Sequence, residues 1–224
     1  MKFASTGTLN AVGILLAAFC CGAGFAAEES GQIPYATIHK AITRARAVNN
    51  PNFRPTVSIV STDAKAAKSA PVKLVIQAKA GAMKVDVDDD GEIRSFPVTD
   101  ELLKENPLVL SNQPRGKSQL RVAFAVLLPE SLTLSYRLLS QRVDEANAEI
   151  KKQAGMLSLA VPRAKTLQFQ FKEPAKQTIT VGGKNSQVLT ADSNGVIDLT
   201  IDPKIASEDP QVILSEKPAK VLVK

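Results

Sequence analysis

Three aspartates at alternate positions and a glycine, Asp86, Asp88, Asp90 and Gly91, make the sharpest chemical signal in this 224-residue chain. An EF-hand calcium loop begins this way, with oxygen ligands at its positions 1, 3 and 5, glycine at 6 and a hydrophobic residue at 8, here Ile93. Its position 12 needs a bidentate glutamate and holds Pro97 instead. No helix is predicted before the loop or directly after it. Asp86, Asp88 and Asp90 are therefore the one metal candidate the sequence offers, and the stretch reads better as a hairpin turn, because Asp-Gly suits the positive φ such turns require. A second stretch, "TADSNGVID", keeps the glycine as Gly195 and puts Thr190, Asp192 and Asn194 where the aspartates were. Retaining the glycine while losing the charge is what a shared backbone turn demands.

Other chemistry is thin. His39 is the only histidine, and both cysteines, Cys20 and Cys21, lie in the N-terminal apolar run. That excludes a His-Cys metal site, and a Ser-His-Asp triad would need His39 as its base. No G-x-S-x-G elbow presents a nucleophile. His39, Lys40, Arg44 and Arg46 instead share a polar, basic helix surface that could meet an anionic partner, a lipid headgroup or an acidic protein patch. The alternative is an ordinary solvated face. Gly182-Gly183-Lys184 lacks phosphate-loop spacing and reads as a turn. Carboxylate pairs for glycoside hydrolysis are assembled in space, and none stands out along the chain. The sequence nominates no catalytic residue and no cofactor.

The elements that would position these residues come twice. "YATIHKAITRARAVNN" starts at Tyr35 and "YRLLSQRVDEANAEIK" at Tyr136, and apolar residues recur three, seven and ten positions after each tyrosine: Ile38 and Leu139, Ile42 and Val143, Ala45 and Ala146. That spacing defines one face of a helix. Each helix is followed by short apolar and alternating runs, with "VSIV" at 57–60 matched to "LSLAV" at 157–161, and "VKLVIQA" from Val72 matched to "LQFQF" from Leu167. The turn glycines follow, and Gly91 to Pro114 and Gly195 to Pro218 are both 23 residues apart. Strands joined by short turns pair antiparallel. The predicted fold is α+β: two tandem repeats, 33–130 and 131–224, each an amphipathic helix packed on an antiparallel sheet. The alternative is a tandem β-sandwich with linking helices.

Residues 9–27 are apolar or small, follow Lys2 and meet their first acid at Glu28. This is the layout of a secretory signal peptide, residues 1–26, with Ala27 as the alternative cleavage point. Phe19 before Cys20 and Cys20 before Cys21 do not make a lipobox. Cleavage would remove both cysteines, leave no disulfide, and leave a mature chain with no transmembrane helix. The net charge of +6 is interspersed along the chain. With no Trp and two Tyr, stacking platforms for nucleic acid are missing.

The helix "YRLLSQRVDEANAEIKKQAG", the "VPRAKTLQFQF" strand and the "DSNGVIDL" and "VILSEKP" segments resemble a family of proteobacterial secreted proteins catalogued only as a domain of unknown function. The resemblance implies a periplasmic or otherwise exported protein and carries no activity. The expected role is a non-catalytic binding or scaffolding module whose partner is an envelope protein or an anionic surface. The alternative, a hydrolase of an envelope polymer, requires titratable groups converging in a cleft. A ligand is expected in a groove between the units or along an exposed sheet edge after Pro218, where "AKVLVK" would pair with another strand.

Overall fold

The computed structural model describes residues 30–62, 71–154, 162–173, 176–184 and 186–224. The predicted signal peptide and the run at 157–161 lie outside them. The described chain is mixed α/β, built mostly of antiparallel sheets, and it divides into two units between Leu127 and Leu128.

In the first unit β1 (Ser30–Pro34) leads directly into α1 (Tyr35–Arg46). Then come β2 (Phe53–Ser61), β3 (Leu74–Ala78), β4 (Gly81–Val87), β5 (Ile93–Ser95), α2 (Asp100–Glu105), β6 (Leu108–Pro114) and β7 (Ser118–Val126). Antiparallel neighbours run β1-β6-β3-β4-β5. β2 pairs with β7 from Phe53↔Val126 to Ser61↔Ser118, and a bridge from Ser58 to Glu92 ties β2 to the turn before β5. The helix buries Tyr35, Ile38, Ala41, Ile42 and Ala45 against Val57, Ile59, Leu74, Ile76 and Val109. Each fully buried aliphatic side chain contributes about 2 kcal/mol, so this helix-to-sheet contact dominates the unit's stability.

The second unit runs β8 (Thr133–Ser135), α3 (Tyr136–Ala154), β9 (Thr166–Gln170), β10 (Thr178–Val181), β11 (Gln187–Thr190), β12 (Val196–Thr200), α4 (Pro203–Glu208), β13 (Gln211–Leu214) and β14 (Lys220–Val223). Its ladders order as β11-β10-β13-β8, with β9 pairing antiparallel with both β12 and β14. α3 buries Tyr136, Leu139, Val143 and Ala146. The six apolar positions picked out after the two tyrosines are all buried.

Both tyrosines are fully buried and do the same work. Tyr35 Oη donates to Pro97 O at 2.7 Å and accepts from Thr99 N at 3.3 Å; Tyr136 Oη donates to Thr200 O at 3.3 Å and accepts from Asp202 N at 2.9 Å. Burial pushes the Tyr136 phenol pKa up, which keeps the donating proton in place. The first-turn N–H groups of each long helix, which have no intrahelical acceptor, are met by the end of the following short helix. Asn106 Oδ1 accepts from Ala36 N and Asp209 Oδ1 from Arg137 N, both at 2.9 Å. Pro107 O and Pro210 O accept from Tyr35 N and Tyr136 N. Asn106 and Asp209 hold left-handed conformations at φ 46° and 49°, which short polar residues tolerate at a helix end.

Asp209 carries a charge where Asn106 does not, and this predicts an acid dependence. The Ser135 hydroxyl, the Arg137 N–H and the Arg137 charge together hold the Asp209 carboxyl below its ordinary value of 3.8. A carboxylate depressed in the folded state adds stability above its unfolded pKa and loses it as pH falls through the folded one. Thermal melts should therefore show Asp209→Asn, which keeps the cap, less stable than wild type at pH 7, with the gap closing below about pH 4. A gap that persists at about pH 2, below the carboxylate range, would mean the charge is irrelevant.

Two expectations need correction. When the two units are matched by their turn bonds, Ile59 N→Gly91 O and Phe171 N→Gly195 O, β2 aligns with β9, β3 with β10 and β4 with β11, one strand later than the expected matching. α3 has 19 residues against 12 in α1, and a fixed offset along the sequence cannot absorb that difference. Nor is the stretch after Pro218 an exposed edge: β14 pairs with β9, and Val221, Leu222 and Val223 are buried.

Candidate binding pocket

The three aspartates do not converge. Asp86 is exposed on β4, in register with Ser95, and Asp90 is exposed in the turn. Asp88 is committed to the backbone and to an arginine: Oδ1 accepts from Asp90 N at 3.1 Å and Glu92 N at 2.8 Å, and Oδ2 meets Arg94 Nη2 at 2.6 Å. Asp192 closes the equivalent turn, with Oδ1 accepting from Asn194 N at 2.8 Å and Val196 N at 3.0 Å. Among the described residues no group of His, Cys, Asp or Glu is placed to hold a metal ion.

On the basic helix face His39 is half-buried with its ring 5.7 Å from that of Tyr35, while Lys40, Arg44 and Arg46 are exposed. Of the four, Arg46 lines a half-open cleft of about 300 Å³ between the end of α1, β2 and β5, and the other three do not line it. Ile42, Val57, Ile93 and Phe96 give it an apolar lining. Its polar side is a chain of charges. Glu92, only 3% exposed at its side chain, takes Arg54 Nη1 and Arg94 Nη1, and Arg94 reaches on to Asp88.

A carboxylate this buried survives only if it is paired and hydrogen-bonded, and two guanidinium groups supply that. Glu92 is the one buried acid among the described residues. Arg46, in contrast, makes no ion pair or hydrogen bond among the described residues, and it stands beside the buried Ile42 and Ala45. The pocket thus joins an apolar lining to an excess of positive charge, the combination that fits an anionic group with an apolar body.

Sequence reasoning reached Arg46 but missed Arg54, Glu92, Ile93 and Arg94. Three separate elements bring them together, and nothing along the chain marks Glu92 as the buried member of its acidic run. On β7 Arg121 is another cation the sequence did not flag: its Nε and Nη2 are buried without hydrogen-bond partners among the described residues, and burial lowers its pKa. It alternates with Leu120 and Val122, which pack on the core, so it belongs to the other face of the sheet. Among the described residues no helix is long and apolar enough to cross a membrane. No family model matches the chain, and no curated protein and no solved structure does.

Proposed function

We propose that this is an exported envelope protein, periplasmic or secreted, that acts as a non-catalytic binding module built from two copies of one helix-on-sheet unit. The duplication is supported by the paired tyrosine, cap and turn bonds, which recur group for group although the helices differ in length. Export is supported by the apolar run at residues 9–27 and by the resemblance to proteobacterial secreted proteins. The binding role rests on one observation, an apolar pocket in the first unit lined also by Arg46, which has no ion pair or hydrogen bond among the described residues.

The ligand this favours is a small anionic amphiphile or a carboxylate-bearing tip of an envelope component. At about 30 Å³ per non-hydrogen atom the pocket holds on the order of ten. Titration with octanoate, followed by NMR on the side-chain methyls of Ile42, Val57 and Ile93, should give saturable shifts that weaken as salt rises. Arg46→Glu should weaken binding at least tenfold, whereas Lys40→Glu, on the same helix but not lining this pocket, should leave it near wild type. Methyl signals that do not move, or that respond equally to neutral octanol, would overturn the anionic-pocket reading.

A further inference from the structure

Among its described residues the second unit leaves the β11 edge open. In the first unit β4 is covered by β5 through Asp86↔Ser95 and Val87↔Ile93, whereas β11, which aligns with β4, pairs among the described residues only with β10. Strand edges are usually blunted by proline, charge, a bulge or extreme shortness. β1 has a register shift and ends in Pro34, β8 is three residues long, and β12 carries Asp198 beside Lys224. β11, with sequence QVLT, has none of these devices, and Val188 on it is 61% exposed.

The ladder fixes which groups face outward. Ala191 N donates to Gln177 O, and hydrogen-bonded pairs alternate along an antiparallel ladder. Leu189 and Gln187, opposite Ile179 and Val181, therefore spend their backbone groups on β10. Val188 and Thr190 point theirs away from it, and neither takes part in another backbone hydrogen bond among the described residues.

From this geometry we propose that β11 is the seam of a homodimer, pairing antiparallel with β11 of a second copy about a two-fold axis at Leu189. An isologous contact must complement itself, and this strand does. The axis sets Val188 against Thr190 of the partner subunit and Thr190 against the partner's Val188, so all outward N–H and C=O groups of these residues find partners. β-Branched side chains then face each other across the strands, a favourable pairing. No charge on the strand opposes its own copy. The two four-stranded ladders become one eight-stranded sheet, with Val188 covered and Leu189 against its symmetry mate.

The test is sedimentation equilibrium on the full chain as the cell processes it, from micromolar to millimolar concentration. The wild-type mass should rise with concentration toward twice the monomer's. Val188→Pro removes an outward N–H that β10 does not use, and Val188→Lys adds like charge at the seam; each should weaken dimerisation at least tenfold while circular dichroism stays native. Ile213→Lys, on β13 in the middle of the same exposed face, should leave the dimer intact. A chain that stays monomeric at millimolar concentration would overturn the seam and leave β11 to a strand from another protein. So would a dimer that survives both Val188 variants or is lost equally with Ile213→Lys.

Discussion

Removing residues 219–224 should abolish the native fold of the second unit. β14 lies against β9 over four register pairs, from Lys220↔Gln170 to Val223↔Leu167, and backbone bonds at both ends fasten it. Ala219 N donates to Gln170 O at 2.8 Å; Lys224 N donates to Thr166 O at 2.8 Å, and Lys224 O accepts from Lys165 N and Thr166 N. Val221, Leu222 and Val223 are 3%, 7% and 6% exposed. Burial of three such side chains is worth roughly 6 kcal/mol, the same order as the whole stability of a small domain. The deletion would also uncover Leu167 and Phe169, both fully buried, and strand the backbone groups of β9 without partners. Hydrogen exchange should show the amides of β9 and β12 losing protection, with the cooperative melt of this unit gone. Leu222→Ala, a partial version of the same loss, should cost about 2 to 4 kcal/mol and leave a measurable transition. A truncated chain that keeps slow exchange at Leu167 and Phe169 would show that β14 only decorates the sheet.

The same segment illustrates what a linear reading sees. A terminal alternating run such as "AKVLVK" declares that it is a strand, but whether it lies at an edge depends on which strand is beside it, and β9 is some fifty residues earlier in the chain. Periodicity fared better where the partner did not matter. Tyr35, Ile38, Ile42 and Ala45 fall on one face of α1 whatever that face meets, so both the helix and its buried stripe were legible. A strand-by-strand matching of the units fails at α3, whose extra turns break a count of residues even though the bond from Ile59 N to Gly91 O has a counterpart from Phe171 N to Gly195 O. The pocket was least legible, because Arg46, Arg54, Glu92 and Arg94 become neighbours only when β5 folds back toward β2 through the Ser58-to-Glu92 bridge.

That bridge begins at Gly91, and Gly91→Ala should be among the most damaging single substitutions in the first unit. Gly91 sits at φ +78°, which costs a non-glycine residue about 1 to 2 kcal/mol. The greater obstacle is space: a Cβ there would stand 2.2 Å from the carbonyl oxygen of Ile59. Relief requires β2 and the turn to part, which lengthens Ile59 N→Gly91 O, now 2.9 Å, and disturbs Glu92 beside its two arginines. Strain together with a lost bond on a buried strand comes to about 3 kcal/mol or more. Gly81 separates the two effects, since it has φ +128° but a Cβ there would meet nothing within 4 Å. In urea unfolding Gly81→Ala should lose only about 1 kcal/mol. Calcium should not change the ranking, because the close approach to Ile59, and not ligation by Asp86, Asp88 and Asp90, is what demands glycine at this position. Equal losses in the two variants would mean that the Ile59 carbonyl moves aside freely, and a Gly91→Ala defect repaired by added calcium would restore the metal-loop reading of the aspartates.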